Sequence, residues 1–162
     1  MYRTCLIAAA LAATLAGANV ARAEKYDCAV PPASVEPARA NKDCAAGPKV
    51  LFQLNRAEDA PTILRFVTNY LAVEPAAHVA VVGYAGGIDF MLVGAKDPDG
   101  KPYADAMNAL AARGVAFKAC NNTLKARNLT AEAVSAPAIV VPGAVNEIIR
   151  LQTQEGYAYF RH

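Results

Sequence analysis

One cysteine and the polar residues after it form the stretch of this chain with the clearest chemical potential. Cys120 follows the short, mostly apolar run 115–119, and Asn121, Asn122 and Thr123 come directly after it. This pattern predicts a buried strand that ends at Cys120 and a short helix that begins after it. A thiol there lies at the carboxyl end of a strand, where open α/β sheets place their sites, and near the N–H groups that stabilise a thiolate. We therefore expect Cys120 to be a reactive nucleophile; the alternative is an inert core thiol.

Several polar residues are candidates for contacts with this sulfur. The Asn-Asn-Thr run after Cys120 offers hydrogen-bond donors to a sulfur anion, although helix capping needs only one of the three. Tyr84, in a glycine-containing turn after another predicted strand, is expected to line the same edge of the sheet; the alternative is a simple turn. Arg127, Lys118 and Lys125 are basic residues that could lower the pKa of the thiol, although surface lysines usually serve only solvation.

Other common kinds of site have no sequence support. The glycines in 83–87 match neither a dinucleotide-binding fingerprint nor a P-loop. The chain has no C-x-x-C pair and no Cys/His set with metal-ligand spacing. With only His78 and His162, no Cys–His pair can be argued from spacing. We expect neither a metal nor a cofactor.

The elements that must position Cys120 alternate along residues 49–162. Strands are predicted at 49–54, 78–83, 115–119, 138–141 and 157–160, and helices at about 60–72, from 103 to the Gly114 cap, at 122–127 and at 145–155. The apolar segment 88–93 is too short to tell strand from helix. This order predicts parallel strands, right-handed crossovers and helices on both faces. We predict a three-layer α/β domain with a mostly parallel sheet of about five strands, flavodoxin-like in style. In the last helix we expect Val145, Ile148 and Ile149 to face inward.

The N-terminal part of the chain has a different character. Residues 1–23 have a basic start, an apolar Ala/Leu-rich run and a small-x-small end, which is typical of a secretory signal peptide cleaved after Ala23. The alternative is a membrane anchor. We expect a periplasmic or secreted protein with no stable membrane insertion after cleavage. Cleavage removes two of the basic residues that give the +2 net charge, and a neutral mature chain gives no reason to expect a nucleic-acid partner.

Residues 24–48 form a Pro/Ala-rich extension that contains Cys28 and Cys44. Export places them in an oxidising compartment, so we expect a Cys28–Cys44 disulfide worth about 3 kcal/mol in the chain-entropy model. The alternatives are two free thiols, or a bond from one of them to Cys120 or to a second chain.

The motif Gly114-Val115-x-Phe117-x-x-Cys120, followed by Arg127, and the C-terminal run 140–159 resemble the DsrE/DsrF-like family, which includes YchN-type proteins. The resemblance covers the whole predicted domain. It implies a three-layer α/β fold, homo- or hetero-oligomers that are often trimers or hexamers, and a persulfide on the matching Cys120 that passes sulfur between donor and acceptor proteins. Asn128 stands where the family pattern has a glycine, and asparagine tolerates a left-handed backbone.

Two other functions remain open besides a sulfur carrier. The domain could be a non-catalytic module that binds a small ligand or builds an oligomer, in which case Cys120 would react no faster than an ordinary thiol. Alternatively, Cys120 could cycle as a redox thiol with Cys28 or Cys44. Whether a sulfur carrier of this kind also turns over as an enzyme does not follow from the sequence.

Overall fold

A computed structural model describes residues 47–161 of the chain. The predicted signal peptide, the Cys28–Cys44 pair and almost all of the Pro/Ala-rich extension lie outside the described residues. Within residues 47–161, no helix is long and apolar enough to cross a lipid bilayer.

Five strands and four α-helices alternate along the described chain. The strands are β1 (Lys49–Leu54), β2 (His78–Gly83), β3 (Ala116–Cys120), β4 (Ile139–Val141) and β5 (Ala158–Arg161). The helices are α1 (Ala60–Val73), α2 (Tyr103–Ala111), α3 (Asn121–Ala126) and α4 (Ala144–Glu155). Three short 3-10 helices, Ala57–Asp59, Ala85–Met91 and Ala131–Ala133, lie between them. Of the segment 88–93 that the sequence left undetermined, residues 88–91 belong to a 3-10 helix, and Leu92 forms an isolated antiparallel bridge with Val134.

The five strands form one parallel sheet in the order β4-β3-β2-β1-β5. The first four strands progress in one direction across the sheet, and β5 returns to the far side of β1. Because parallel crossovers are right-handed, the first helices lie on one face and the helix of the returning crossover lies on the other. The three-layer α/β prediction is confirmed.

Two apolar cores follow from this arrangement. On one face, alternate strand residues such as Phe52, Val81 and Phe117 pack against α1 and α2. On the opposite face, a smaller cluster joins Leu51, Ala80, Val82 and Cys120 to residues of α4. Cys120 therefore belongs to the face that α4 covers.

The predicted inward face of α4 is wrong at two positions. Val145 is 67% exposed and Ile149 is 54% exposed. The buried positions are Ala144, Glu147 and Leu151, with Ile148 partly buried beside them. These four positions also have helical spacing, but one of them carries a charge, so the apolar pattern alone selected the neighbouring stripe.

Backbone conformation sets the turns that frame the cysteine strand. Gly114, which precedes β3, has φ +87°, and Asn128, which follows α3, has φ +54°. Both are left-handed, as the sequence predicts for these positions. Close packing also restricts the turn after β2, because a Cβ on Gly87 would lie 2.2 Å from the carbonyl oxygen of Leu54.

Candidate functional site

Cys120 is the last residue of β3, and α3 begins at the next residue. It is the only cysteine within residues 47–161 and is a free thiol, 4% exposed. In β4, Val141 lies beside Cys120 in register, so the polypeptide that leaves β4 passes the sulfur. That segment starts α4, and the Ala144 N–H donates a hydrogen bond to Cys120 Sγ at an N···S distance of 3.3 Å.

The sulfur receives hydrogen bonds from two helix starts. Burial raises the pKa of the Cys120 thiol, because an apolar environment disfavours the thiolate. The N–H groups of Thr123, Ala144 and Asn122 and the hydroxyl of Thr123 act in the opposite direction. They outweigh burial, so the pKa of Cys120 lies below its ordinary value. The surroundings of the sulfur therefore favour the nucleophilic form of the thiol.

A cavity of about 450 Å³ opens beside this sulfur. It is lined by residues from the ends of β2 and β3 and the starts of α3 and α4: Tyr84, Ala85, Cys120, Asn122, Thr123, Ala126, Arg127, Gly143, Ala144, Val145 and Asn146. The structure thus brings Tyr84, Asn122, Thr123 and Arg127 together with Cys120. Asn121 is partly buried and is not among the residues that line this cavity.

Thr123 connects the cysteine to the turn after β2. Its hydroxyl oxygen accepts a hydrogen bond from the Ala85 N–H at 3.0 Å, and the same hydroxyl group lowers the pKa of the Cys120 thiol. Ala85 has φ +49°, an uncommon conformation for a residue with a side chain. The hydrogen bond between the Ala85 N–H and the Thr123 hydroxyl oxygen joins the turn after β2 to the start of α3.

A row of polar side chains runs from the cavity wall to the edge of the sheet. Tyr159 donates its hydroxyl hydrogen to Gln53, and Gln53 donates from its amide nitrogen to the Tyr84 hydroxyl oxygen. Gln53 is 8% exposed, so these bonds satisfy the polar atoms of a buried amide. They also hold the Tyr84 ring at the wall of the cavity.

Two of the basic residues near the site, Arg127 and Lys118, have acidic partners. Arg127 forms an ion pair with Asp89, in the 3-10 helix after β2. Lys118 lies on the same side of β3 as Cys120, and its ammonium contacts the Glu147 carboxylate at 2.7 Å. The lowered pKa of Cys120 therefore rests on hydrogen bonds, and no direct charge interaction with Lys118 or Lys125 is among its causes.

The sequence reasoning missed the contribution of α4. The side chains of Val145 and Asn146 line the cavity, and Ala144 supplies a hydrogen bond to the sulfur. A signal for this existed, since Pro142-Gly143 ends one strand and a helix follows immediately. Adjacent parallel strands end at the same edge of a sheet, which brings the start of that helix to the thiol.

The remaining cavities offer less chemistry. A larger cavity of about 650 Å³ lies between α1 and the β1–β5 edge, and its lining is mostly apolar and includes no thiol. Within residues 47–161, no group of three or more His, Cys, Asp or Glu side chains is placed to hold a metal ion.

Comparison with known proteins agrees with this architecture. One solved structure, a protein of unknown function, MTH1491, from Methanobacterium thermoautotrophicum, is 28% identical with a TM-score of 0.62, over 71% of this chain and 99% of that one. The ychN protein from E. coli is 16% identical with a TM-score of 0.58, over 70% of this chain and 99% of that one, a likeness of fold alone. No curated protein matches the chain. The sequence model of the DsrE/DsrF-like family matches residues 49–161, and the chain therefore belongs to the DsrE/DsrF-like family.

Proposed function

We propose that this protein is an exported sulfur carrier in which Cys120 holds a transferable sulfur atom as a persulfide. The observation that carries the proposal is the set of donors around the sulfur. The Ala144 N–H donates to Cys120 Sγ at 3.3 Å, and the N–H groups of Thr123 and Asn122 and the Thr123 hydroxyl also lower the pKa of the thiol, which lies below its ordinary value despite burial. The relay of sulfur for which the DsrE-like fold is known supports the same chemistry.

The transfer would occur in two balanced steps. The Cys120 thiolate attacks the outer sulfur of a persulfide or polysulfide donor, a new S–S bond forms, and the donor's S–S bond breaks. The donor thiolate leaves with the electron pair and takes up a proton. An acceptor thiolate then attacks the outer sulfur on Cys120 and releases Cys120 as a thiolate, so no external oxidant or reductant is consumed.

The cavity beside Cys120 has the features that this cycle needs. Its volume of about 450 Å³ leaves room for an outer sulfur and for the end of an attacking thiol. The N–H groups that stabilise the thiolate would also stabilise the Cys120 thiolate as the leaving group in the second step. The side chains of Asn122 and Asn146 lie at the same wall and offer further amide donors to an anionic outer sulfur.

The test is to load the purified protein with inorganic polysulfide, remove the excess and map its peptides by mass spectrometry without reductant. We expect one added sulfur on the Cys120 peptide, removed by dithiothreitol and absent from the Cys120→Ser variant. An unmodified Cys120 peptide would contradict the carrier role and favour a module that binds a ligand or builds an oligomer. A Cys120 disulfide to Cys28 or Cys44 would instead support the redox role.

Export and assembly are part of the same proposal. We expect a mature chain that begins after Ala23, a Cys28–Cys44 disulfide and a homo-oligomer, as a trimer or hexamer. The intact mass and non-reducing peptide map of protein recovered from the periplasm or medium would test the first two features. Sedimentation of that material would test the third. A full-length, monomeric chain without the disulfide would contradict this part of the proposal and leave the chemistry of Cys120 untouched.

A further inference from the structure

The hydrogen bond from Ala144 to Cys120 depends on where α4 begins. Ala144 is the first residue of α4, so its N–H has no acceptor within the helix and is free to bond the sulfur. Cys120 and Ala144 belong to different elements, 24 residues apart in the chain. The N···S distance of 3.3 Å is therefore a tertiary distance, set by how α4 lies on β3.

A second contact joins the same two elements one helical turn away. Lys118 precedes Cys120 by two residues, so both side chains lie on the α4 face of the sheet. Glu147 follows Ala144 by three residues and turns its carboxylate towards the sheet. The side chains of Lys118 and Glu147 are 13% and 9% exposed, and their charged atoms are 2.7 Å apart. Separating an ion pair this buried is unfavourable, because each charge would be left without a partner in a site that excludes water.

The two contacts together constrain where the start of α4 lies on β3. The two positions on β3 are about 7 Å apart along the strand, and the two positions on α4 are about 4.5 Å apart along the helix axis. Two contacts at that spacing constrain both the height and the tilt of the helix start on β3. Arg150 holds Glu147 from within α4, with contacts of 2.9 and 2.7 Å to its two carboxylate oxygens. Glu147 is thereby aimed at Lys118.

We propose that the Lys118–Glu147 ion pair is a positioning device, which holds the N–H of Ala144 against Cys120 and so keeps the sulfur in a thiolate-stabilising site. Lys118 and Glu147 act through α4 and touch neither a donor nor an acceptor of sulfur. The other ionisable side chains at the cavity are Tyr84 and Arg127, and Arg127 is paired with Asp89. The inference deepens the proposed role of Cys120 but does not depend on the identity of its sulfur donor.

The direction in which each of two single substitutions shifts the thiol–thiolate equilibrium of Cys120 tests this proposal. Lys118→Met removes a positive charge and Glu147→Gln removes a negative one. If the charges acted directly on the sulfur, Lys118→Met would disfavour the thiolate and Glu147→Gln would favour it. If the pair acts by position, both substitutions loosen α4 and both disfavour the thiolate, since a neutral amide holds Lys118 less strongly than a carboxylate.

The measurement is the rate of Cys120 alkylation by iodoacetamide as a function of pH, followed on the Cys120 peptide of the full-length protein. In both variants we expect the midpoint of the profile to move to higher pH. Below that midpoint, the alkylation rate of Cys120 should be lower than in the wild type by a factor of about three or more. The Lys118→Met/Glu147→Gln double variant should be no slower than the slower single variant. The single variant Lys118→Arg preserves the ion pair and should therefore keep the wild-type profile. Hydrogen exchange at the Ala144 amide should be faster in both single variants.

Glu155→Gln is the matched control, because Glu155 pairs with Arg150 but not with β3. The pH profile of Glu155→Gln should match that of the wild type. The proposal would be overturned if Glu155→Gln changed the profile as much as the two test variants do. It would also be overturned if Lys118→Met and Glu147→Gln left the profile unchanged or moved its midpoint in opposite directions. If Lys118→Met does not fold, the direction of Glu147→Gln alone decides. If the wild type takes up no sulfur from polysulfide while both variants still alkylate slowly, the carrier role fails and the positioning role stands.

Discussion

Replacing Thr123 by valine would remove one hydroxyl from the sulfur while keeping the shape of the side chain. The hydroxyl of Thr123 lowers the pKa of the Cys120 thiol and accepts a hydrogen bond from the Ala85 N–H at 3.0 Å. A hydrogen bond to a charged group contributes about 1.5–3 kcal/mol, and the lower end applies beside an open cavity. A change of about 1.4 kcal/mol is tenfold in the thiolate fraction. A thiolate of higher pKa is intrinsically more nucleophilic, which offsets part of the loss in thiolate fraction. The rate of Cys120 alkylation should therefore fall about threefold to tenfold.

The assay is the pH profile of Cys120 alkylation, measured on the Cys120 peptide. Thr123→Ser retains the hydroxyl and should keep the wild-type profile. Thr68→Val is a control for the substitution itself, since the Thr68 hydroxyl donates to the Leu64 carbonyl oxygen on α1, far from the sulfur in the fold. A Thr123→Val profile that overlays the wild type would refute the reasoning, because it would mean that the hydroxyl does not stabilise the thiolate.

Two further predictions concern stability. Hydrogen bonds from Arg150, opposed by burial and reinforced by Lys118, lower the pKa of Glu147 from 4.5 to about 2. Because the folded value is the lower one, this stabilisation is fully present above about pH 4.5 and is lost as the pH falls towards 2. It amounts to about 3 kcal/mol, and Glu147→Gln should flatten the dependence of the unfolding free energy on pH in that window. Gly87→Ala should cost about 3 kcal/mol in denaturant unfolding, because its Cβ would lie 2.2 Å from the Leu54 carbonyl oxygen. The neighbouring Gly86→Ala, whose nearest contact would be 3.2 Å, should cost clearly less, and equal costs would contradict this packing argument.

Local patterns were sufficient for the elements of this fold. The β-branched run of β2 and the spacing of Ile63, Val67 and Leu71 in α1 predicted the elements that the structure shows. The left-handed positions at Gly114 and Asn128 also followed from residue type. In each case the deciding interactions are short-range, between residues a few positions apart, so they can be read from the chain. The same kind of reasoning placed Cys120 at the end of a strand and before a helix.

The sequence by itself therefore determined the α/β alternation, the family, and a thiol at the carboxyl end of β3 with Thr123 beside it. The tertiary structure alone decided that Ala144 reaches the sulfur, that Lys118 meets Glu147, and that Arg127 is paired with Asp89. It also decided which stripe of α4 is buried, against the apolar pattern that favoured Val145 and Ile149. The physical reason is that the orientation of a helix on a sheet depends on all of its contacts at once. On α4 the buried stripe includes Glu147, whose partner Lys118 lies on β3, and a local pattern carries no information about a partner that lies many residues away.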